Sequence, residues 1–236
     1  MEPITETAGR LLDMLNSGSA PRAFDDQPPA RGRQIERRTL AELVQTNPNV
    51  RAAVEMCHRW AERKRQGHMD ASMVLCGPVG TGKTHIAKAI LWSMAYTLED
   101  GTAVGYAGKF FTAADLMSIN SPTRSDYGTT ETPRPASYIG NAPILVIDDI
   151  GSEGIIPYVR TDDDTQAAEI AARYFRVIDY CYSWNVSLVI TSNLSIPQLA
   201  TRLGPRNWDR LGQMAPAGFM IDLTGVPSWR QKVSGR

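Results

Sequence analysis

Residues 72–85 read SMVLCGPVGTGKTH. A short apolar run stops at Gly77, and a helical pattern starts at Lys83. The segment between, Gly77-Pro78-Val79-Gly80-Thr81-Gly82-Lys83-Thr84, fits GxxxxGK[ST] in full. Strand, glycine-rich turn and helix is the order that a phosphate cradle needs. The glycines let the backbone turn tightly, so that consecutive N–H groups point inward, and the helix adds the positive end of its dipole. Lys83 is expected to reach the β and γ phosphates of a nucleoside triphosphate, and the Thr84 hydroxyl to ligate Mg²⁺. The alternative, a glycine-rich turn of purely structural use, does not explain why both flanks fit.

A second apolar run, PILVIDD (143–149), ends in the adjacent carboxylates Asp148 and Asp149. A carboxylate leaving a hydrophobic strand is costly without a compensating cation or donor, and two side by side repel one another. Beside a phosphate cradle the divalent cation of the nucleotide is the natural partner. Asp148 is expected to hold Mg²⁺ through water, and Asp149 to orient and deprotonate the attacking water. An acidic cap for a following helix fits less well, because Ile150-Gly151 come next. A third run, VSLVITS (186–192), closes in Thr191-Ser192-Asn193. That ending alone is a turn signal. Next to a cradle and an acidic strand, an amide there fixes the attacking water or senses the γ-phosphate.

Outward from these strands, helical and apolar-strand patterns alternate. The helical stretches are 83–99, 165–184 and two short ones between 195 and 214; the remaining strands fall at 103–112 and 218–223. Strands that are apolar throughout, separated by helices, imply an α/β fold with a parallel sheet covered by helices on both faces, that of a P-loop NTPase. Residues 1–45 read as a short helical N-terminal region with a Pro/Arg-rich linker that binds a partner, and 46–236 as the ATPase domain. A helix near 50–66 places Val50, Val54, Cys57 and Ala61 on one face. The proline- and Ser/Thr-rich stretch 121–142 shows no helical period and is expected to be a functional or disordered loop.

The chain has 236 residues, 42% of them hydrophobic, with 25 acidic and 25 basic side chains. This length buries a proper core, and zero net charge excludes a histone-like polycation. A local basic surplus remains, nine Lys/Arg against four Asp/Glu over 31–65, which suits either a solvated face or phosphate contact. The three cysteines are far apart, which argues against a structural zinc or a disulfide framework. The start lacks a basic, apolar signal segment, and no window holds 18 apolar residues. A cytoplasmic protein with no membrane partner is expected.

GPVGTGKTH, ILVIDDIG, ITSNLS, LGPRNWDRL and PSWR occur in that order. Together they resemble the AAA+ ATPases of the DnaC/IstB group, most of all the DnaC-type helicase loaders. The resemblance extends the nucleotide-binding set, Gly77 to Thr84, to His85. It also implies a sensor role for Asn193, an arginine finger for Arg210 that acts in trans on a neighbour's ATP, and a sensor-2 role for Arg230. Arg206, one turn before Arg210, competes for the finger role. Implied partners are a replicative hexameric helicase, single-stranded DNA and further copies of the chain; ATP and Mg²⁺ are the implied cofactors. The acidic pair here is Asp-Asp, where many AAA+ proteins carry Asp-Glu.

For DNA contact, Tyr158 with Arg160, and Lys109 with Phe110 and Phe111, pair stacking rings with phosphate partners; the alternative is core aromatics beside a surface charge, the favoured reading for Phe110. Asp162–Asp164 would repel phosphate and are expected to cap the helix from Thr165. Two other functions share the core: an IstB-type transposition helper on duplex DNA with a transposase, and an ATP-binding adaptor with little hydrolysis.

Overall fold

The computed structural model describes residues 40, 43, 48–66, 68, 71–94, 108–121, 123–124, 130–154 and 163–228. Residues 1–39, Tyr158, Arg160 and Arg230 lie outside the described residues. The strands in chain order are β1 (Met73–Cys76), β2 (Gly108–Thr112), β3 (Thr123–Arg124), β4 (Thr130–Glu131), β5 (Ile144–Ile150), β6 (Ser187–Ser192) and β7 (Met220–Asp222). The α-helices are α1 (Arg51–Arg65), α2 (Lys83–Ser93), α3 (Ala113–Ile119), α4 (Pro135–Ile139), α5 (Asp163–Ser183), α6 (Ile196–Leu203) and α7 (Pro205–Met214).

Five strands form one sheet in the order β2-β5-β6-β1-β7, and every neighbouring pair is parallel. The pleat explains why β1, β5 and β6 are apolar throughout. Met73, Leu75, Ile144, Val146 and Val189 join a core with Val54, Cys57 and Trp60 of α1 and Ile86 and Ile90 of α2. Val74, Cys76, Leu145, Ile147, Leu188 and Ile190 face the opposite way. They pack with Ile170, Tyr174 and Val177 of α5, Leu199 of α6 and Leu211 of α7. Alternate side chains enter different cores, so both sets must be apolar. The expected face of α1 is buried, and Trp60, fully buried beside it, donates its indole N–H to Ala71 O at 2.9 Å.

Because the strands are parallel, the carboxyl ends of β1, β5 and β6 lie along one edge of the sheet. Gly77, Asp148 and Thr191 to Asn193 are thereby brought together. Pairing of β5 with β6 runs Ile147↔Ile190 and then Ile150↔Ser192. The extra residue on β5 makes a bulge, which re-aims side chains where it occurs. Asp149, inside that bulge, has φ 64°.

Two expectations are corrected, and one choice between alternatives is settled. Within 121–142, expected to be a functional or disordered loop, the described residues carry a small antiparallel strand pair, β3 with β4, and the short helix α4. Pro135 at the first position of α4 presets its backbone, which the absence of period over five residues concealed. The helix after the acidic strand begins at Asp163, so Asp163 and Asp164 belong to its first turn instead of preceding it. The core-aromatic reading of Phe110 holds, and Phe110 and Phe111 lie on opposite faces of β2 rather than in one stacking cluster. Phe110 packs in the α1/α2 core beneath the Lys88 ammonium, 4.9 Å from the ring centre, while Phe111 meets Tyr138 edge-on at 6.0 Å.

Candidate functional site

The cradle rises from β1 and closes at α2. Gly77 has φ 140°, and a Cβ there would lie 2.9 Å from the Leu223 carbonyl carbon, so only glycine fits between β1 and the segment after β7. Gly82 adopts φ 99° at the entrance to α2. The buried Thr81 hydroxyl donates to Pro78 O at 3.0 Å and braces the turn from inside. Val79 and His85 are exposed on its rim.

Lys83 is buried, and its ammonium donates to Gly77 O at 2.7 Å, Pro78 O at 2.8 Å and Asn193 Oδ1 at 2.8 Å. The cation therefore sits in the mouth of the turn, held by the loop that surrounds it. Asn193 uses its other end on the acidic strand: Nδ2 donates to Asp149 Oδ1 at 2.5 Å. One amide thus links the cradle lysine to the second aspartate across the strand ends.

Asp148 faces the α2 side, as its parity with Ile144 and Val146 requires. The Thr84 hydroxyl lies 3.0 and 3.1 Å from its two carboxylate oxygens. From β6 the Thr191 hydroxyl donates to Asp148 Oδ1 at 2.6 Å and accepts the Asp149 N–H at 2.9 Å. Burial pushes the Asp148 carboxyl above its ordinary range, and the nearby Asp149 charge adds to this. Bonds from Thr191 and Thr84, and the Lys88 charge, work against the rise. Hydroxyl and carboxylate oxygens are hard donors of the kind magnesium takes, so Thr84 and Asp148 fit a magnesium–nucleotide complex.

The turn after Asp149 is fastened twice. Ser152 donates to Asp149 O from its N–H at 3.1 Å and its hydroxyl at 2.7 Å, and Ser192 Oγ donates to Ile150 O at 2.6 Å. Beyond it lies a buried carboxylate that sequence reasoning missed. Glu153 Oε1 accepts from Gly151 N at 2.9 Å and Tyr174 Oη at 2.5 Å; Oε2 accepts from Arg202 Nη2 at 2.6 Å. Burial raises the Glu153 carboxyl, but bonds from Tyr174, Arg202 and the main chain outweigh it and hold the group below the usual range. Only the acid between Ser152 and Gly154 in GSEG signals this locally, and nothing in the chain pattern pairs it with Arg202.

Arg210 and Arg206 stand one turn apart on α7, and both lie against α5. Arg210 pairs with Asp179, and its guanidinium lies 4.9 Å from the Phe175 ring centre; Arg206 lies over the same ring at 3.9 Å. The structure does not bring either arginine into its own chain's cradle network. Arg230 lies outside the described residues.

Residues 66–208 match the family described as IstB-like ATP binding protein. No curated protein sequence matches the chain. Among solved structures it is similar to DnaI, with a TM-score of 0.51 and 20% identity over 81% of this chain and 90% of that one. At that identity the likeness speaks to the fold. The DnaC helicase loader gives a TM-score of 0.45 and 20% identity over 78% of this chain and 92% of that one. AMPPCP-bound DnaA from Aquifex aeolicus gives 0.49 and 16% identity; 83% of this chain is covered, and it spans 52% of the DnaA chain.

Proposed function

The chain belongs to the family of IstB-like ATP binding proteins, and from that premise we propose that it is an ATP-hydrolysing switch that loads a replicative helicase onto single-stranded DNA. The observation that carries hydrolysis is the convergence on one sheet edge of Lys83, Asn193 and Asp149 in one network and Thr84, Asp148 and Thr191 in another.

In this reading the amides of residues 77–84 surround the triphosphate, and Lys83 exchanges the Gly77 and Pro78 carbonyls for phosphate oxygens. Thr84, and Asp148 through water, would hold magnesium, which would supply neutralising charge on the phosphates. Asp149 accepts a proton from the attacking water, and Asn193 keeps that carboxylate and the lysine in register. Arg210 lies outside its own cradle, as a group that serves a neighbour's ATP must. Its cation completes the charge stabilisation only after assembly. Arg206 is the competitor, and Arg230 keeps its proposed contact with the γ-phosphate in cis.

The resemblance to the IstB group carries a second reading, a transposition helper on duplex DNA. One experiment separates them: ATP turnover and DNA retention measured with single-stranded and with duplex DNA, beside pull-down of a hexameric helicase. Stimulation by single strands and helicase capture support the loader. Stimulation by duplex alone supports the transposition helper, and nucleotide binding without turnover in every condition leaves an adaptor.

A further inference from the structure

Asp149 occupies a backbone conformation that a non-glycine residue holds only when its surroundings insist on it. From β6, Thr191 and Asn193 grip it, but the chain then turns away through Gly151, at φ 108°. Ser152 and Ser192 fasten that turn locally, and Glu153 ties it to the helices beyond. The Glu153 side chain is wholly buried and every bond it makes is specific: Gly151 N–H, the Tyr174 hydroxyl and the Arg202 guanidinium. Arg202 stands in the last turn of α6, and Tyr174 lies within α5. The turn that carries Asp149 is thereby tied to two helices that make no contact with the nucleotide cradle in this network.

A buried ion pair is often replaceable by apolar side chains of similar volume, so a stabilising charge alone does not explain why a carboxylate stands here. What an apolar group cannot do is accept the Gly151 N–H at a set point while anchored on two other elements. We propose that Glu153 is a positioning residue for Asp149: it holds the Asp149–Gly151 turn in the conformation that aims the Asp149 carboxylate at the attacking water. This rests on the hydrolytic role proposed above.

The test measures ATP turnover and binding of a fluorescent ATP analogue for wild type, E153Q, D149N and the double variant, with folding followed by near-UV circular dichroism. E153Q keeps the shape but sets an amide N–H₂ against Arg202 or Gly151. The expected result is a fall in kcat of about 10-fold in E153Q with analogue affinity within about twofold of wild type, as removal of a group acting only in the transition state requires. In the D149N background the same change has no further effect on turnover, because its route runs through Asp149. Should E153Q not fold, Tyr174→Phe and Arg202→Gln each remove one tether and are expected to lower kcat several-fold without altering analogue affinity. Wild-type protein that never hydrolyses ATP overturns the hydrolytic reading and this inference together. Active wild type alongside equally active E153Q, or alongside equally active Y174F and R202Q, overturns this inference alone, as does full additivity with D149N.

Discussion

The hydroxyl of Thr191 donates to Asp148 at 2.6 Å and accepts the main-chain N–H of the next residue at 2.9 Å. A single side chain on β6 therefore holds both acidic positions of β5, through the carboxylate of one and the backbone of the other. The bulge makes this possible, since two β5 residues share the space opposite Thr191.

Thr191→Val keeps the shape and removes the hydroxyl. The Asp149 N–H loses the Thr191 hydroxyl and Asp148 Oδ1 keeps only that of Thr84, and an unsatisfied buried group costs about 1–3 kcal/mol. The urea midpoint is expected to fall accordingly, and turnover to fall with it. A variant as stable and active as wild type removes Thr191 from the site.

Lys83→Ala deletes the ammonium that the cradle now holds with Gly77 O and Pro78 O. Nucleotide affinity is expected to drop by roughly 100-fold, the equivalent of about 3 kcal/mol of charged hydrogen bonding. Titration with a fluorescent ATP analogue reads this directly.

Asp148→Asn should separate stability from function. Burial holds the Asp148 carboxyl above its ordinary range, so its charge opposes folding at neutral pH, and that cost is relieved only as pH falls below the raised value. The amide removes the charge. Without nucleotide, thermal unfolding at pH 7 is expected to move up by about 2–4 °C, while magnesium-dependent turnover is lost. An unchanged or lower midpoint contradicts this assignment.

Arg210→Ala is expected to keep nucleotide binding and to lose assembly-stimulated turnover, on the order of 10³-fold for a finger in trans. The change also removes the Asp179 pair on the surface of α5, so a small stability loss accompanies it. Normal stimulated turnover moves the finger to Arg206, which the matching alanine variant checks.

Acid sensitivity tests the Glu153 cluster without any nucleotide. The folded-state carboxyl lies below its ordinary 4.5, so its contribution is complete above that value and disappears as pH falls through the lower, folded one. Wild-type stability measured by urea is expected to decline as pH drops below 4.5, and the decline in E153Q to be shallower. Parallel curves dispose of the ion pair as an acid-labile element.

How much of this is readable from the chain depends on how local the physics is. Apolar strands alternating with helices identified a parallel α/β sheet with helices on both faces, and the strand–turn–helix around Gly77 to Thr84 placed the cradle, because backbone turn, helix start and lysine all lie within a few residues. The order β2-β5-β6-β1-β7 and the bulge at Asp149 are decided by how the strands pair, which no local pattern carries. The same holds for Thr84 meeting Asp148 across 64 residues and Arg202 meeting Glu153 across 49. A carboxylate shows in a sequence as a charge. Whether it is held by hydroxyls, buried or aimed at a reacting atom is settled only when distant segments pack against it and remove its water.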